Sequence, residues 1–389
     1  MRTIYFSMSA GKNLSLFLFA LLFGCQILHA ETQAALVTPI VVAPIDSMID
    51  ECSGLDYTGG THFWAHNDGY GDNSLYRISN SGVYTRSLVI SNATNYDWED
   101  LTHDEGRNYL FIGDFGNNSC GRTNLRIYRI TYPLLTSPAS VTADEIQFSY
   151  PDQTLFPSPW YNFDAEAFFH HNGNFYIFSK ADSSAIGYTK LYRVPDQPGT
   201  HVAMLIDSFY TNDRITSAAM NDDSSAVVLL ANNRIHLFTG WTGDNFFTGN
   251  YTMLRFSTSW TQKEAITFYT RTTVWMADES DGVSNFLYRV DLSAYIPPPA
   301  TTGIMELVVP EVRVYPNPAS EELTVCIPNL MSRVDYSLTD MTGEKVHFGS
   351  SINDDSFGID VHALPSGIYQ LHLTGGDFLP CVKRVVVSH

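Results

Sequence analysis

Positive charge is scarce in this sequence: 22 Lys and Arg stand against 41 Asp and Glu in 389 residues, a formal net charge of −19. That balance excludes a nucleic-acid partner, because a phosphate backbone needs a basic face. Charge of either sign is sparse, at 16%, while hydrophobic residues reach 44% with 24 Phe, 22 Tyr and 6 Trp. Such a profile suits a β-rich exported protein and not a disordered or coiled-coil one. Long apolar runs are confined to residues 14–28, so no later segment approaches the ~20 residues that span a bilayer. No Gly-x-Ser-x-Gly elbow, His-Glu-x-x-His helix or phosphate-binding P-loop occurs. Cysteine is rare, with five in the chain.

Arg2 and Lys12 precede the apolar run, and Ala30 follows it. A basic start, an apolar core and a small residue at the cut make residues 1–30 a secretory signal peptide. Leu22-Phe23-Gly24-Cys25 is a loose lipoprotein box that would place lipid on Cys25. Cys52, Cys120, Cys326 and Cys381 remain after cleavage. An oxidising compartment permits either one bridge per domain, Cys52–Cys120 and Cys326–Cys381, or free buried thiols.

One strand pattern recurs: Leu75-Tyr76-Arg77-Ile78, Ile127-Tyr128-Arg129-Ile130, Leu191-Tyr192-Arg193-Val194 and Leu287-Tyr288-Arg289-Val290, with Ile235-His236-Leu237-Phe238 as a degraded copy. An apolar strand precedes each copy, and a third short strand lies upstream of that one. Five copies of one antiparallel meander predict an all-β protein with a five-bladed β-propeller at residues 31–293. The fifth copy runs out before its fourth strand, and the stretch near residues 36–45 is expected to fill that place and close the ring. Six blades remain the alternative if this stretch belongs to a degraded extra blade.

A Pro-rich linker, residues 294–311, leads to a small Ig-like β-sandwich at 312–389, read from short alternating strands between Gly, Pro and Asn turns. The run Tyr315-Pro316-Asn317-Pro318, the hairpin Asp340-Met341-Thr342-Gly343-Glu344-Lys345-Val346, the strand Leu364-Pro365-Ser366-Gly367-Ile368-Tyr369 and the end Lys383-Arg384-Val385-Val386-Val387 occur in order. Together they resemble the C-terminal sorting domain of the type IX secretion system of Bacteroidetes. The resemblance implies passage across the outer membrane, contact with that secretion machinery, removal of the tag, and an extracellular or cell-surface location.

The innermost strands of the repeat open at Ser53, Glu99, Glu166, Ser217 and Glu264, spaced by 46, 67, 51 and 47 residues. Equivalent positions in a propeller ring the axis, so three carboxylates converge there and repel in a low dielectric. A hard divalent cation relieves that repulsion, and Ca²⁺ takes six to eight oxygen ligands. Alternatively these residues hydrogen-bond neighbouring blades or face a solvated channel. The order Ser, Glu, Glu, Ser, Glu is similar to the central calcium site of the calcium-activated nucleotidases (apyrases), which are five-bladed propellers; phytase-like and lactonase-like propellers are also similar. This resemblance implies Ca²⁺ held by Ser53, Glu99, Glu166, Ser217 and Glu264. It breaks at His66-Asn67-Asp68-Gly69-Tyr70, where that family carries an Arg-containing string.

Loops after the second strands carry His66, Asn67 and Asp68; Asp114, Asn117 and Asn118; Lys180 and Asp182; Asn232 and Asn233; and Asp278 and Glu279. They are expected at the same mouth as the ion. His66, Asp68, Asp114, Lys180 and Asp278 are the catalytic candidates for metal-assisted hydrolysis of phosphate or ester substrates. Turn chemistry alone also places Asn, Asp and Gly there. The missing Arg favours a calcium-bearing binding or scaffold module for a surface glycan, protein or small molecule, with hydrolysis as the alternative. His170-His171 beside Asn172-Gly173 reads as a hairpin end.

Overall fold

Alternation of side chains along each strand decides how the sheets of this protein stack. The structure, a computed structural model, describes residues 34–389 apart from 70, 135–136, 160–161, 182–186, 259–260, 281–284, 300–311, 328–332, 353–355 and 376–377. Residues 1–30, read as a signal peptide, together with Cys25 among them, Asp182 and most of the stretch read as a linker, lie outside the described residues.

Among the described residues, five sheets precede the C-terminal sandwich, each built on four antiparallel strands, and the first, second and fourth add a short parallel strand at the outer edge: Ser140–Val141, Gly199–Val202 and Ala35–Val37. The first is Cys52–Tyr57, His62–Asn67, Ser74–Ser79 and Tyr84–Ile90. The second is Trp98–His103, Tyr109–Asp114, Arg126–Thr131 and Asp144–Ser149. The third runs Ala165–His171, Asn174–Ser179, Tyr188–Pro195 and Met204–Tyr210. Ile215–Met220, Ala226–Ala231, Arg234–Thr239 and Asn250–Phe256 make the fourth. The fifth has Lys263–Phe268, Thr273–Asp278 and Phe286–Asp291, and Ile40–Pro44 completes it by pairing antiparallel with the last of these. Each first strand touches the first strands of the sheets before and after it, and the fifth touches the first. The result is a β-propeller-like ring, closed by a strand from the other end of the chain.

The repeat has a packing reason. In Phe63-Trp64-Ala65, Phe63 and Ala65 join the core shared with the fifth sheet, whereas Trp64 joins the core shared with the second. Leu110 and Ile112 face the first sheet, and Phe111 between them faces the third. The Leu-Tyr-Arg-Ile pattern divides the same way: Tyr76 and Ile78 pack toward the fifth sheet and Leu75 toward the second. A strand buried on both faces must be apolar at every position, which is why these runs read as continuous and not alternating. Five interfaces of this kind each bury a separate apolar cluster. The fourth–fifth cluster takes in Leu292 and Ile296, so the ring's packing continues past residue 293.

Asn172 and Gly173 form the two-residue turn between His171 and its partner Asn174, with φ of 49° and 70°. A hairpin of that length needs positive φ at both central residues, which Asn-Gly supplies. His170-His171 is thus a hairpin end, as expected.

The C-terminal part pairs Arg313–Tyr315, Glu322–Cys326 and Ser356–Asp360 in one sheet, and Lys345–Ile352, Arg333–Thr339, Gly367–Gly375 and Phe378–Val387 in another. One cluster including Leu323, Val325, Leu338, Leu371 and Val385 fills the space between them. The bridged arrangement of the cysteines is not formed: Cys52, Cys120, Cys326 and Cys381 are all free. Cys52 belongs to the fifth–first core and Cys120 to the second–third core. Cys326 and Cys381 sit in different sheets of the sandwich. Burial, with Asp278, Glu279 and Asp100 nearby, pushes the Cys52 thiol up and keeps it inert.

Candidate functional site: an acidic mouth at one end of the ring

All five first strands open with the same irregularity. The register slips by one residue between Cys52 and Gly54, Trp98 and Asp100, Ala165 and Ala167, Ile215 and Ser217, and Lys263 and Ala265. Such a bulge sets two residues against one and re-aims a side chain. The extra residues are Ser53, Glu99, Glu166, Thr216 and Glu264. Four are those the spacing singled out. In the fourth sheet the equivalent residue is Thr216, one before Ser217. Sequence spacing missed this because two hydroxyl residues stand side by side and only strand pairing tells them apart.

The hydroxyl positions tie neighbouring sheets together. Ser53 Oγ donates to the Glu99 carbonyl at 2.7 Å, and Thr216 Oγ1 donates to the Lys263 carbonyl at 2.7 Å. One step along each strand stand Gly54, Asp100, Ala167, Ser217 and Ala265. Asp100 is wholly buried, and its Oδ2 accepts from Ser217 Oγ at 3.0 Å, Ala218 N at 3.2 Å and Phe168 N at 3.3 Å. Ser217 Oγ in turn accepts from Ile266 N at 3.1 Å. One carboxyl group among four small residues, raised well above its ordinary value by burial, therefore pins the second, third and fourth sheets directly and the fifth through Ser217. It stands in the sequence directly after Glu99, but nothing in spacing separates a tie from a ligand.

Above this floor the acids gather. Asp68, Asp97 and Glu99 each bring a carboxylate oxygen within 4.8 Å of the others. Asp97 was absent from the sequence-based candidates; the signal for it is the Asp-x-Glu step into the bulge. Two glycines make the approach possible. A Cβ on Gly116 would lie 1.9 Å from Glu99 Oε1 and 2.6 Å from Asp97 Oδ2, and one on Gly69 would lie 2.4 Å from Asp97 Oδ1. Glu166 pairs through Oε1 with Lys180, while its Oε2 is buried without a hydrogen-bond partner.

The electrostatics are those of crowding. Burial first, then Asp68, pushes Asp97 up to about 7, with Arg122 opposing. Burial, Asp68, Asp97 and Asp164 raise Glu99 well above its ordinary value against the pull of Lys180. Glu264 is pushed up to about 8, mainly by burial, with Lys180 opposing and Glu279 reinforcing. Burial likewise raises Asp68 and Glu279.

Of the rim candidates, Asp68, Lys180 and Glu279 belong to this mouth. His66 does not. It is fully buried, edge-on to Trp98 at 5.6 Å, and its Nδ1 donates to the Asn67 carbonyl at 2.9 Å. Burial lowers its pKa to about 4, so it stays neutral. Gly54 leaves room for the ring, since a Cβ there would meet His66 Nε2 at 2.4 Å. Asp114 is a clamp, accepting from Arg122 at 2.9 Å and from the Asp97 amide at 3.1 Å. Asp278 accepts from Phe286 N and Tyr288 Oη, both at 2.5 Å, and so fixes its own hairpin. Asn117 donates to the Phe163 carbonyl at 3.2 Å and joins the second sheet to the third. Asn232 and Asn233 form the turn between two strands of the fourth sheet.

The fold defines an all-β, propeller-like protein followed by a β-sandwich. The sandwich is then placed by family: residues 313–388 match the secretion system C-terminal sorting domain, the type IX tag. A protein carrying it is exported, to the cell surface or beyond, and engages the type IX machinery. No helix among the described residues is long and apolar enough to cross a membrane.

Comparison with curated proteins gives no match. Among solved structures, PorZ of Porphyromonas gingivalis, a surface component of the type IX secretion system, is 11% identical with a TM-score of 0.32. The match covers 87% of this chain, which spans 45% of that one. A fungal alcohol oxidase of the AA5 family, in complex with copper, is 10% identical over 92% of this chain and 100% of its own, with a TM-score of 0.33. The β-propeller domain of Cps50 (Swd1) from Myceliophteria thermophila is 8% identical over 64% of this chain and 99% of its own, at 0.34. At these scores none of the three bears on activity.

Proposed function

We propose that this protein is an exported binding module whose acidic mouth holds a hard divalent cation of the Ca²⁺ class and presents it to an extracellular glycan or protein. The observation that carries this is the Asp68–Asp97–Glu99 group, crowded into a space that only glycine at 116 and 69 leaves open. Carboxylates that close repel unless a cation or proton stands between them, and Ca²⁺ is matched by oxygen donors of this kind. The ligand set differs from the ring read in the sequence, because Lys180 occupies the side of Glu166 and leaves the side of Asp68 and Asp97 for an ion. Calorimetric titration with Ca²⁺ tests the proposal. Wild-type protein is expected to bind one ion, and Gly116→Ala to lose binding as its methyl displaces Glu99. Absence of heat in the wild type, or undiminished binding by the variant, refutes this site.

A second reading rests on Glu279, beside Asp68 at the same mouth and raised from its ordinary value by burial and by that neighbour, as a general base next to the ion. A bound cation would supply Lewis acidity, and the protein would then hydrolyse phosphate or ester substrates. A hydrolase panel with and without Ca²⁺ separates the two: calcium-dependent turnover abolished by Glu279→Gln while Ca²⁺ binding is retained selects hydrolysis, and its absence selects binding.

The sorting domain makes a prediction of its own. Removing residues 312–389 should strand the ring in the periplasm, as fractionation would show. Surface delivery of the shortened protein would contradict that role.

A further inference from the structure

The other end of the ring carries a second group of polar residues, away from the acidic mouth and independent of the function proposed for it. Asp56, 1% exposed, accepts from His103 Nδ1 and, at 2.5 Å, from Tyr132 Oη. Burial acts to raise the Asp56 carboxyl, but His103, Arg107 and Tyr132 outweigh it and the group is lowered. It is therefore a carboxylate, and His103 donates Nδ1–H to it. Two adjoining cavities are lined by His103: one with Asp56, Ile266 and Phe268, the other with Glu105, His170 and His171. Asp222 lines both of these and also a third cavity of about 240 Å³, whose walls come from Arg107 on one side and Tyr336, Lys345 and His372 of the sandwich on the other. The three spaces thus run from the lower end of the axis to the seam with the sorting domain.

Residues 33–389 form one compact unit, and the seam is built and not incidental. Glu344, 5% exposed, is held by His62 Nδ1 at 2.7 Å and by Arg77 Nη2, itself on a residue 6% exposed. Phe348 stands edge-on to Tyr132 with centroids 5.4 Å apart. The two turns meet backbone to backbone: a Cβ on Gly60 would lie 3.0 Å from the Gly343 carbonyl and 3.2 Å from Glu344 Cα. Glu344 belongs to the Asp340-x-x-Gly-Glu-x-Val hairpin singled out in the sequence, so the tag's own signature supplies the contact. A buried pair like this is costly to break on one side, because the remaining charge is stranded.

We infer that the sorting domain is a latched cap on the lower end of the ring: Glu344 locks it to Arg77 and His62, and its release opens the cavities lined by His103. Two readouts on the full chain test this, with a protease site inserted within residues 301–310. After cutting, the wild-type sandwich should remain bound to the ring through gel filtration, whereas Glu344→Lys should separate from it. Arg77→Glu should separate likewise, and the double swap Arg77→Glu with Glu344→Arg should restore retention, which a merely misfolded variant would not do. Diethyl pyrocarbonate labelling of His103, followed by peptide mass spectrometry, reads the cap. The rate should rise at least tenfold in the separated ring over the uncut chain. Retention untouched by Glu344→Lys overturns the latch, and unchanged His103 labelling in the separated ring overturns the cap.

Discussion

Calcium in hundredfold excess over its Kd is expected to stabilise the folded chain by about 2.7 kcal/mol, from RT ln(1 + [L]/Kd), and chelator to remove the gain. The variant Glu99→Gln gives the decisive sign. Glu99 is 4% exposed and shares its surroundings with Asp68, Asp97 and Asp164. With the ion bound, losing this carboxylate weakens binding and lowers the melting temperature relative to wild type in calcium. In chelator the same change relieves repulsion and raises it. The pH dependence has a definite direction. Asp97 and Glu264 have folded values raised to about 7 and about 8. Their contribution is therefore fully present below ~4, the unfolded carboxyl range, and is lost as pH rises through 7 and 8. Chelated protein should lose stability across that window, and calcium-loaded protein should lose less, because the ion holds Asp97 ionised throughout while Glu264 still titrates. Melting curves of wild type and Glu99→Gln at pH 5 and 8.5, with calcium and with chelator, measure all of this. Wild-type curves indifferent to calcium, with Glu99→Gln more stable throughout, would mean that the mouth takes no cation.

Phe111→Ala is expected to cost about 3–5 kcal/mol, the range for deleting a fully buried phenyl ring from a core that cannot collapse around the void. Phe111 is wholly buried in the second sheet, edge-on to Phe175 at 4.8 Å and stacked on His170 at 5.1 Å, both in the third sheet. Its loss removes contacts on which the angle between two sheets depends, and in a ring each such angle constrains the closure at Ile40–Pro44. Tyr109→Ala, two residues earlier on the same strand and 39% exposed, is the control and should cost far less. Urea denaturation measures both. A cost below ~1 kcal/mol for Phe111→Ala would show that the second and third sheets do not depend on this interface.

The repeat was legible because packing wrote it. Each second strand touches a different neighbour on each face, so Tyr109-Leu110-Phe111-Ile112, Phe175-Tyr176-Ile177-Phe178 and Val227-Val228-Leu229-Leu230 are apolar throughout, and four of the five third strands repeat the Leu-Tyr-Arg-Ile pattern, whose alternate residues meet different neighbours. The closing strand was foreseeable because the fifth copy lacked a partner. The cysteine bridges were not excluded by sequence, since an even number of thiols carries no distances.

What the sequence determined by itself is therefore the all-β meander, the stretch that completes the last sheet, the type IX tag and the acidity of one end. These rest on local periodicity, turn chemistry and short motifs, all of which are written within a few residues. The tertiary structure decided the site. Strand register made Thr216 and not Ser217 the fourth bulge residue, buried His66 beside Trp98, and turned Asp114 and Asp278 into hairpin clamps. It also brought Asp97 to Asp68 and Glu99 across two glycines, and set Glu344 between His62 and Arg77 more than 260 residues away in the chain. Those partners come from separate sheets or domains, and a one-residue slip along a strand exchanges one face for the other. Spacing in the chain carries no record of such a slip, and only the closed ring resolves it.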